Sequence, residues 1–263
     1  MRNKKPSVAV YKFSSCDGCQ LSILNMEDEL LDLAEAIDIA YFLEATRAQK
    51  PGPYDIALVE GSVTTPHEIE RIKEVRAQAK TVIALGTCAT AGGVQALRNF
   101  ANVEDFANVV YPHPEYLHYL ETSTPISEHI PVDLELWGCP VNKKQVLEII
   151  VALLNNRKPN IPPYSVCLEC KQRVTVCVLV DKGIPCLGPA TQAGCNAICP
   201  VMGRGCYGCF GPARETNTSS LITILKKLER QPGETARLFR GISGYAPLFQ
   251  EAADSILEDK VTK

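Results

Sequence analysis

Twelve cysteines are the residues of this 263-residue chain with the most obvious chemistry. Six of them form three Cys-x2-Cys pairs, which begin at Cys16, Cys167 and Cys206. Four thiolates are the usual ligand set of both a tetrahedral zinc ion and a cubane iron–sulfur cluster. The twelve thiols therefore divide into three sets of four, and the spacing of the pairs leaves both metals open.

The start of the chain bears on whether these thiols are oxidised. Residues 1–6 are basic, and no long apolar run, cleavage site or twin arginine follows them, so we expect a cytoplasmic protein without a signal peptide. Thiols stay reduced in the cytoplasm, which favours metal ligation over disulfides. Burial as a small hydrophobic residue would explain one cysteine such as Cys177, but not three pairs in one chain.

The composition excludes several other classes of protein. Hydrophobic residues make up 46% and charged residues 22% of the chain, which is typical of a folded globular protein. No stretch reaches the roughly 18 uncharged apolar residues that span a bilayer. The net charge of −3 gives no basic footprint for nucleic acid. We therefore expect neither a membrane nor a nucleic acid as partner.

Residues 1–160 carry the pattern of strands that alternate with helices. The predicted strands are Val8–Phe13, Ile37–Leu43, Ile56–Glu60, Val82–Leu85 and Val132–Leu136. Thr65-Pro66 with Glu68 predicts the start of one helix through a capping box, and Asn142 predicts the start of another. This alternation predicts an α/β fold with a flavodoxin-like, doubly wound parallel sheet. Prolines from Pro159 onward mark its end, so we predict a second domain over 161–263.

The first four cysteines each follow a predicted strand. Cys16 and Cys19 come after the first strand, Cys88 after the fourth and Cys139 after the fifth. The carboxyl ends of parallel strands share one edge of a sheet, and neighbouring strands lie only about 4.8 Å apart. Ligands so distant in sequence do not suit a local zinc knuckle. They suit a cluster held across the sheet edge.

The other eight cysteines are crowded into residues 166–212, where there is little periodicity. We predict a small irregular domain that is organised by its metals and followed by helices at Ser219–Leu228 and Ala246–Leu257. Only the tail of the ferredoxin motif is matched, at Cys195-x3-Cys199-Pro200, so a simple ferredoxin is excluded. A free-standing multi-cluster electron carrier and a zinc-organised scaffold stay open at this point.

Short motifs around the cysteines carry a family resemblance. In order they are Ser15–Gln20, Val59–Val63, Gly86–Ala89, Gly138–Pro140, Cys186–Pro189, Gly194–Cys195 and Cys206–Cys209. Together, over essentially the whole chain, they resemble the small, electron-transferring subunit of NiFe hydrogenases. The quinone-reductase subunit of respiratory complexes shares the sheet, but it typically has adjacent cysteines in place of Cys16-x2-Cys19 and lacks the eight-cysteine segment.

The resemblance implies three 4Fe–4S clusters. A proximal cluster would be bound by Cys16, Cys19, Cys88 and Cys139. A medial cluster would be bound by Cys195, Cys199, Cys206 and Cys209. A distal cluster would be bound by Cys167, Cys170, Cys177 and Cys186. Cys186 and Cys195 could be exchanged between the last two sets.

Two departures from the family pattern refine this interpretation. Many members have a histidine in place of Cys167, and many have a proline in place of Cys199 with a three-iron medial cluster. Four thiolates at every site resemble the cytoplasmic subgroup, which includes the sulfhydrogenase type coupled to NAD(P) and types coupled to heterodisulfide reductase or deazaflavin. The implied partners are a NiFe large subunit and flavin- and iron–sulfur-containing diaphorase or heterodisulfide-reductase-type subunits.

The resemblance implies a conducting role, with the chemistry of dihydrogen in the partner large subunit and no catalytic residue in this chain. Glu60, at a strand end, is predicted to hydrogen-bond near the proximal cluster or the subunit interface, or else to be an ordinary carboxylate at a helix approach. The histidines lack ligand spacing to any cysteine and are predicted to be structural or solvated: His67, His113, His118 and His129.

Overall fold

The computed structural model describes residues 5–228 and 230–258. The chain divides into two compact units, residues up to Pro159 and residues from Asn160 onward. The division falls in the proline-containing stretch that precedes the cysteine-rich segment. None of the helices in the described ranges is long and apolar enough to cross a membrane.

The first unit is built on five strands: β1 (Ser7–Lys12), β2 (Asp38–Phe42), β3 (Tyr54–Glu60), β4 (Ala79–Leu85) and β5 (Leu134–Leu136). All neighbouring strands are parallel, in the order β2-β1-β3-β4-β5. In β1, β3 and β4 at least four successive residues are buried, as expected for a parallel sheet covered on both faces. The predicted flavodoxin-like α/β sheet is confirmed.

The fifth strand begins two residues later than predicted, and a side chain explains the difference. The carboxylate of Asp133 accepts the backbone N–H of Val82 at 2.8 Å, a donor that strand pairing would otherwise use. Asp133 also pairs with Arg76 at 2.6 Å. Regular pairing with β4 therefore starts only at Leu134.

Six α-helices occur in the described part of this unit: α1 (Gly18–Leu24), α2 (Asp28–Ala36), α3 (Pro66–Gln78), α4 (Gly86–Ala91), α5 (Val103–Val110) and α6 (Lys143–Leu154). The capping box predicted at α3 is present, since Thr65 Oγ1 accepts from the N–H of Glu68 at 3.2 Å and Glu68 Oε2 accepts from the N–H of Thr65 at 3.1 Å. Asn142 caps α6 through the N–H of Lys144 at 2.9 Å. The two hydrogen bonds of the capping box fix the start of α3, the longest helix of the unit.

One apolar core of the first unit lies between α3 and the sheet. Ile72 and Val75 of α3 are buried in one apolar cluster with Val59 of β3 and Val82 of β4. This packing holds the carboxyl ends of β3 and β4 in fixed register, which positions the loops that follow them.

The second unit contains six short helices in its described part: α7 (Val166–Gln172), α8 (Val178–Lys182), α9 (Ile198–Val201), α10 (Thr218–Lys226), α11 (Pro232–Phe239) and α12 (Pro247–Glu258). α10 and α12 lie where helices were predicted. α11 was not predicted, and it packs on α12 through an edge-to-face contact of Phe239 with Phe249 at 5.9 Å. α7, α8 and α9 are too short to show helical periodicity in the sequence.

Ile72→Ala tests the packing of α3 on the sheet. Because Ile72 is fully buried, we expect the free energy of unfolding to fall by about 3 kcal/mol, measured by urea denaturation. Val109→Ala is the control, because Val109 is 87% exposed and its truncation should change stability by less than about 0.5 kcal/mol. Equal effects of the two substitutions would contradict this description of the core.

Candidate metal centres

The carboxyl edge of the sheet gathers the first four cysteines. Cys16 lies in the loop after β1 and Cys19 in α1, while Cys88 lies in α4, which directly follows β4. Cys139 lies in the loop after β5. The last two loops are bonded to each other, since the N–H of Thr87 donates to the carbonyl of Gly138 at 2.9 Å.

The pKa values of three of these thiols are raised by burial and, to a smaller extent, by the charges of neighbouring cysteines. Burial, followed by the charge of Cys139, raises the pKa of Cys88 to about 12. Burial, followed by the charge of Cys16, raises the pKa of Cys139. Burial raises the pKa of Cys19 as well, with smaller contributions from the charges of Glu60, Cys88 and Cys139. Such thiols are protonated at neutral pH unless a cation stabilises their thiolates.

Two glycines leave room for the sulfur atoms. Gly86 has a φ of +85°, and a Cβ built on it would lie 2.3 Å from Sγ of Cys19. Gly93 has a φ of +63°, and its Cβ would lie 2.5 Å from Sγ of Cys88. Only glycine combines this backbone conformation with so close an approach. The backbone therefore forms a cradle around two of the four sulfurs.

Glu60 is hydrogen-bonded to the segment that carries the first pair of cysteines. Its side chain is 1% exposed, and Oε1 accepts the N–H of Cys19 at 2.9 Å. Burial raises the pKa of Glu60, and hydrogen bonds from Cys19 and Gln20 oppose that shift. The carboxylate thus connects the end of β3 to the turn that holds the first pair of cysteines.

Gln95 is a residue of this site that sequence reasoning missed. Its Nε2 donates to the carbonyl of Ser14 at 2.8 Å, and its Oε1 lies 3.5 Å from Sγ of Cys88. Gln95 follows α4 on a 3-10 helix, Val94–Phe100, and no motif marks it. It ties the loop after β1 to the cysteine that follows β4.

A second group of thiols forms in the second unit. Cys167 and Cys170 lie on α7, one turn apart, and Cys177 precedes α8. Burial, followed by the charges of Cys186 and Cys177, raises the pKa of Cys167. Burial, followed by the charges of Cys167, Cys186, Cys177 and, with the smallest contribution, Cys195, raises the pKa of Cys170 to about 11. These four thiols therefore lie within range of one another.

The remaining cysteines form two pairs. Burial raises the pKa of Cys195, with further contributions from the charges of Glu169 and Cys199, and the N–H groups of the following residues lower it. Burial also raises the pKa of Cys206, to which the charges of Cys186 and Cys209 contribute. The N–H of Cys206 donates to Sγ of Cys186 at 3.2 Å. Cys186 therefore lies next to Cys206 as well as to the thiols of α7. The sequence left open whether Cys186 and Cys195 are exchanged between the two sets of this unit, and this contact lies at that point.

The donor chemistry fits thiolate-bound clusters. All twelve cysteines are free thiols, and none is joined in a disulfide. Sulfur atoms lie against glycine backbone and receive N–H hydrogen bonds, as ligand sulfurs do in metal sites. Over residues 5–228 and 230–258, no group of three or more His, Cys, Asp or Glu side chains is arranged around a single metal ion.

Two of the histidines have polar partners other than thiols. Nε2 of His129 is hydrogen-bonded to Oγ1 of Thr124 at 2.7 Å, and Nδ1 of His113 lies 3.0 Å from a carboxylate oxygen of Glu115. Burial lowers the pKa of His129. These contacts are those of structural and surface histidines.

Proteins of known type are similar in sequence to most of this chain. Residues 16–153 match the family described as NADH ubiquinone oxidoreductase, 20 Kd subunit. The chain is 38% identical over 221 residues to sulfhydrogenase 2 subunit delta of Pyrococcus furiosus, covering 84% of this chain and 92% of the relative. It is 34% identical over 233 residues to one subunit of the F420-non-reducing hydrogenase of Methanocaldococcus jannaschii, covering 78% of this chain and 81% of the relative.

Solved structures agree with these relatives. A chain of an NAD+-reducing [NiFe]-hydrogenase in the H2-reduced state matches with a TM-score of 0.56 and 30% identity, over 60% of this chain and 96% of that one. A chain of the Ni-Fe-Se hydrogenase from Desulfomicrobium baculatum matches with a TM-score of 0.56 and 18% identity, over 80% of this chain and 96% of that one. This second match shows a shared fold. The resemblance found in the sequence is confirmed, and the protein belongs to the 20 kDa NADH–ubiquinone oxidoreductase family as a small subunit of a hydrogenase.

Proposed function

We propose that this hydrogenase subunit binds three 4Fe–4S clusters and conducts electrons between the NiFe site of a large subunit and a flavin or ferredoxin-like partner. The observation that carries the proposal is at the sheet edge, where the backbone of Gly86 lies against Sγ of Cys19 and the loops that carry Cys88 and Cys139 are hydrogen-bonded to each other. Each cluster, when bound, supplies a one-electron carrier whose potential depends on its ligands and surroundings. Flow in one direction serves dihydrogen oxidation, and flow in the other serves proton reduction.

The ligand sets follow the three groups of thiols. We assign the proximal cluster to Cys16, Cys19, Cys88 and Cys139. We assign the distal cluster to Cys167, Cys170, Cys177 and Cys186, which is supported by the larger charge interactions of Cys167 and Cys170 with this set, while smaller ones reach Cys195 and Cys199. We assign the medial cluster to Cys195, Cys199, Cys206 and Cys209, which is supported by the pairing of Cys195 with Cys199 and of Cys206 with Cys209.

The chain's own groups prepare the sulfur atoms for this role. The N–H groups of Gly188 and Cys206 donate to Sγ of Cys186 at 3.4 and 3.2 Å. The N–H of Gly208 donates to Sγ of Cys206 at 3.5 Å. Such donors stabilise negative charge on sulfur and hold it in place, and burial of Cys186 and Cys206 excludes water.

An exposed apolar surface supports a partner at the distal set. Cys177 is exposed, and beside it in sequence Val174, Val176 and Val180 are 90%, 64% and 83% exposed. Large exposed apolar side chains around a thiol are typical of a surface that another protein covers. We propose that a flavin- and iron–sulfur-containing diaphorase or a heterodisulfide-reductase-type subunit binds here, that the NiFe large subunit faces the proximal set, and that the complex is cytoplasmic.

Purification of the chain under anaerobic conditions with its bound subunits tests this function. We expect a NiFe large subunit and a redox partner to copurify, and we expect dihydrogen to reduce an acceptor in the complex. A stable, monomeric chain without a large subunit would instead support a free-standing electron carrier.

Cys139→Ala tests the proximal set within that complex. Because one of four ligands is lost, we expect disruption of the proximal cluster and uncoupling of dihydrogen oxidation from the acceptor, read by cluster spectroscopy and by acceptor reduction. Lys144→Ala, an exposed position near by on α6, is the control and should match the wild type in both. An unchanged spectrum and full activity in Cys139→Ala would refute the sheet-edge site.

Gly86→Ala tests the cradle around Cys19. An added Cβ would collide with Sγ of Cys19, so we expect the variant to lose about a third of its iron, corresponding to one of three four-iron clusters. Gly203→Ala is the matched control, because Gly203 has a similar φ of +74° but nothing lies within 4 Å of an added Cβ. Iron loss of the same size in both variants would show that backbone strain, not the sulfur contact, is responsible.

A further inference from the structure

One carboxylate in the second unit is bonded to a loop that carries a different set of cysteines. Glu169 lies on α7 between Cys167 and Cys170. Its Oε1 accepts the N–H of Gly194 at 2.9 Å and the N–H of Asn196 at 3.1 Å. Its Oε2 accepts a third N–H, that of Ala197, at 3.1 Å. A single side chain therefore satisfies three backbone donors of the loop 194–197.

The loop has a backbone shape that requires such support. Asn196 and Ala197 have φ values of 61° and 52°, in the left-handed region that residues with a side chain rarely adopt. The N–H groups of Gly194, Asn196 and Ala197 converge on one side of this turn, where they form a concave site for an anion. The carboxylate of Glu169 occupies that position.

The same carboxylate lies beside a ligand sulfur. Oε2 of Glu169 is 3.8 Å from Sγ of Cys195, and the loop leads directly into α9, which contains Cys199. Glu169 thus stands on the helix of two proposed distal ligands and contacts the segment of two proposed medial ligands. Arg173, at the end of α7, adds one longer hydrogen bond from its guanidinium to the carbonyl of Asn196 at 3.4 Å, whereas Glu169 accepts three N–H groups of the loop.

We propose that Glu169 is a positioning residue that holds the loop carrying Cys195 in its ligating shape and, through its negative charge, lowers the reduction potential of the cluster bound there. This inference rests on the proposed cluster ligation. Reduction adds an electron to a site that already carries thiolate charge. A carboxylate within a few ångströms of a ligand sulfur, partly shielded from water, therefore opposes reduction.

Substitutions at Glu169 distinguish its support of the loop that carries Cys195 from its effect on the reduction potential of the cluster. Glu169→Gln removes the charge and keeps one acceptor oxygen, which can still serve the N–H groups of Gly194 and Asn196. We therefore expect iron content close to that of the wild type and one cluster midpoint potential shifted to a more positive value. Glu169→Ala removes the acceptor for three N–H groups, so we expect loss of iron. Glu169→Asp keeps the charge on a shorter side chain and should keep both the iron and the potential nearer to the wild type than the other two variants do.

Two quantities are measured on the intact complex. Iron analysis gives the cluster content, and an anaerobic redox titration monitored by electron paramagnetic resonance gives the midpoint potentials. Glu251→Gln is the matched control, because it removes an exposed carboxylate on α12 and should move no midpoint. Wild-type midpoints in Glu169→Gln, or the same shift in Glu251→Gln, would overturn the inference. Loss of iron in Glu169→Gln as large as in Glu169→Ala would also overturn it, because one acceptor oxygen at this position would then not support the loop.

The proposed function fails by a different result. If the wild-type chain itself contained no iron–sulfur cluster, ligation by the three sets would be wrong before any variant was compared. If the wild type contains the clusters and only the Glu169→Gln shift is missing, the ligation is unaffected.

Discussion

The constraint on which the structure depends is the burial of many thiols close to one another. Such thiols are unfavourable as thiolates unless a cation is bound among them. Burial is the largest cause of the raised pKa at Cys19, Cys88, Cys139 and Cys206, and negative charges of neighbouring groups add to it. The packing of a hydrophobic core does not by itself require ionisable thiols to lie against one another. Thiolate-bound metal reverses the sign of this interaction, since each ligand then gains from the shared positive charge.

The two units meet this requirement in different ways. In the first, a parallel sheet brings loops from β1, β4 and β5 to one edge, and side chains such as Glu60 and Gln95 tie those loops together. In the second, short helices and glycine-rich loops surround eight cysteines, and hydrogen bonds such as those of Glu169 join the segments that carry them. The first site is therefore supported by a regular fold, and the others are supported by local bonds and, as we propose, by the clusters themselves.

Much of this was predictable from the sequence where the pattern is local. The five strands, the capping box at Thr65 and the placement of Cys88 after a strand all follow from short-range chemistry. The late start of β5 was not predictable, because it depends on Asp133 contacting a neighbouring strand. Gln95 and Glu169 were missed for the same reason: each acts on residues distant in sequence, through a backbone shape that no motif specifies.

The central claim is that these twelve thiols hold iron–sulfur clusters and not zinc. The most direct test is metal and acid-labile sulfide analysis of the anaerobically purified protein, with each quantity expressed per chain. We expect about twelve iron and about twelve sulfide, with the brown colour of cubane clusters. A colourless protein that contains zinc and little iron would contradict the claim.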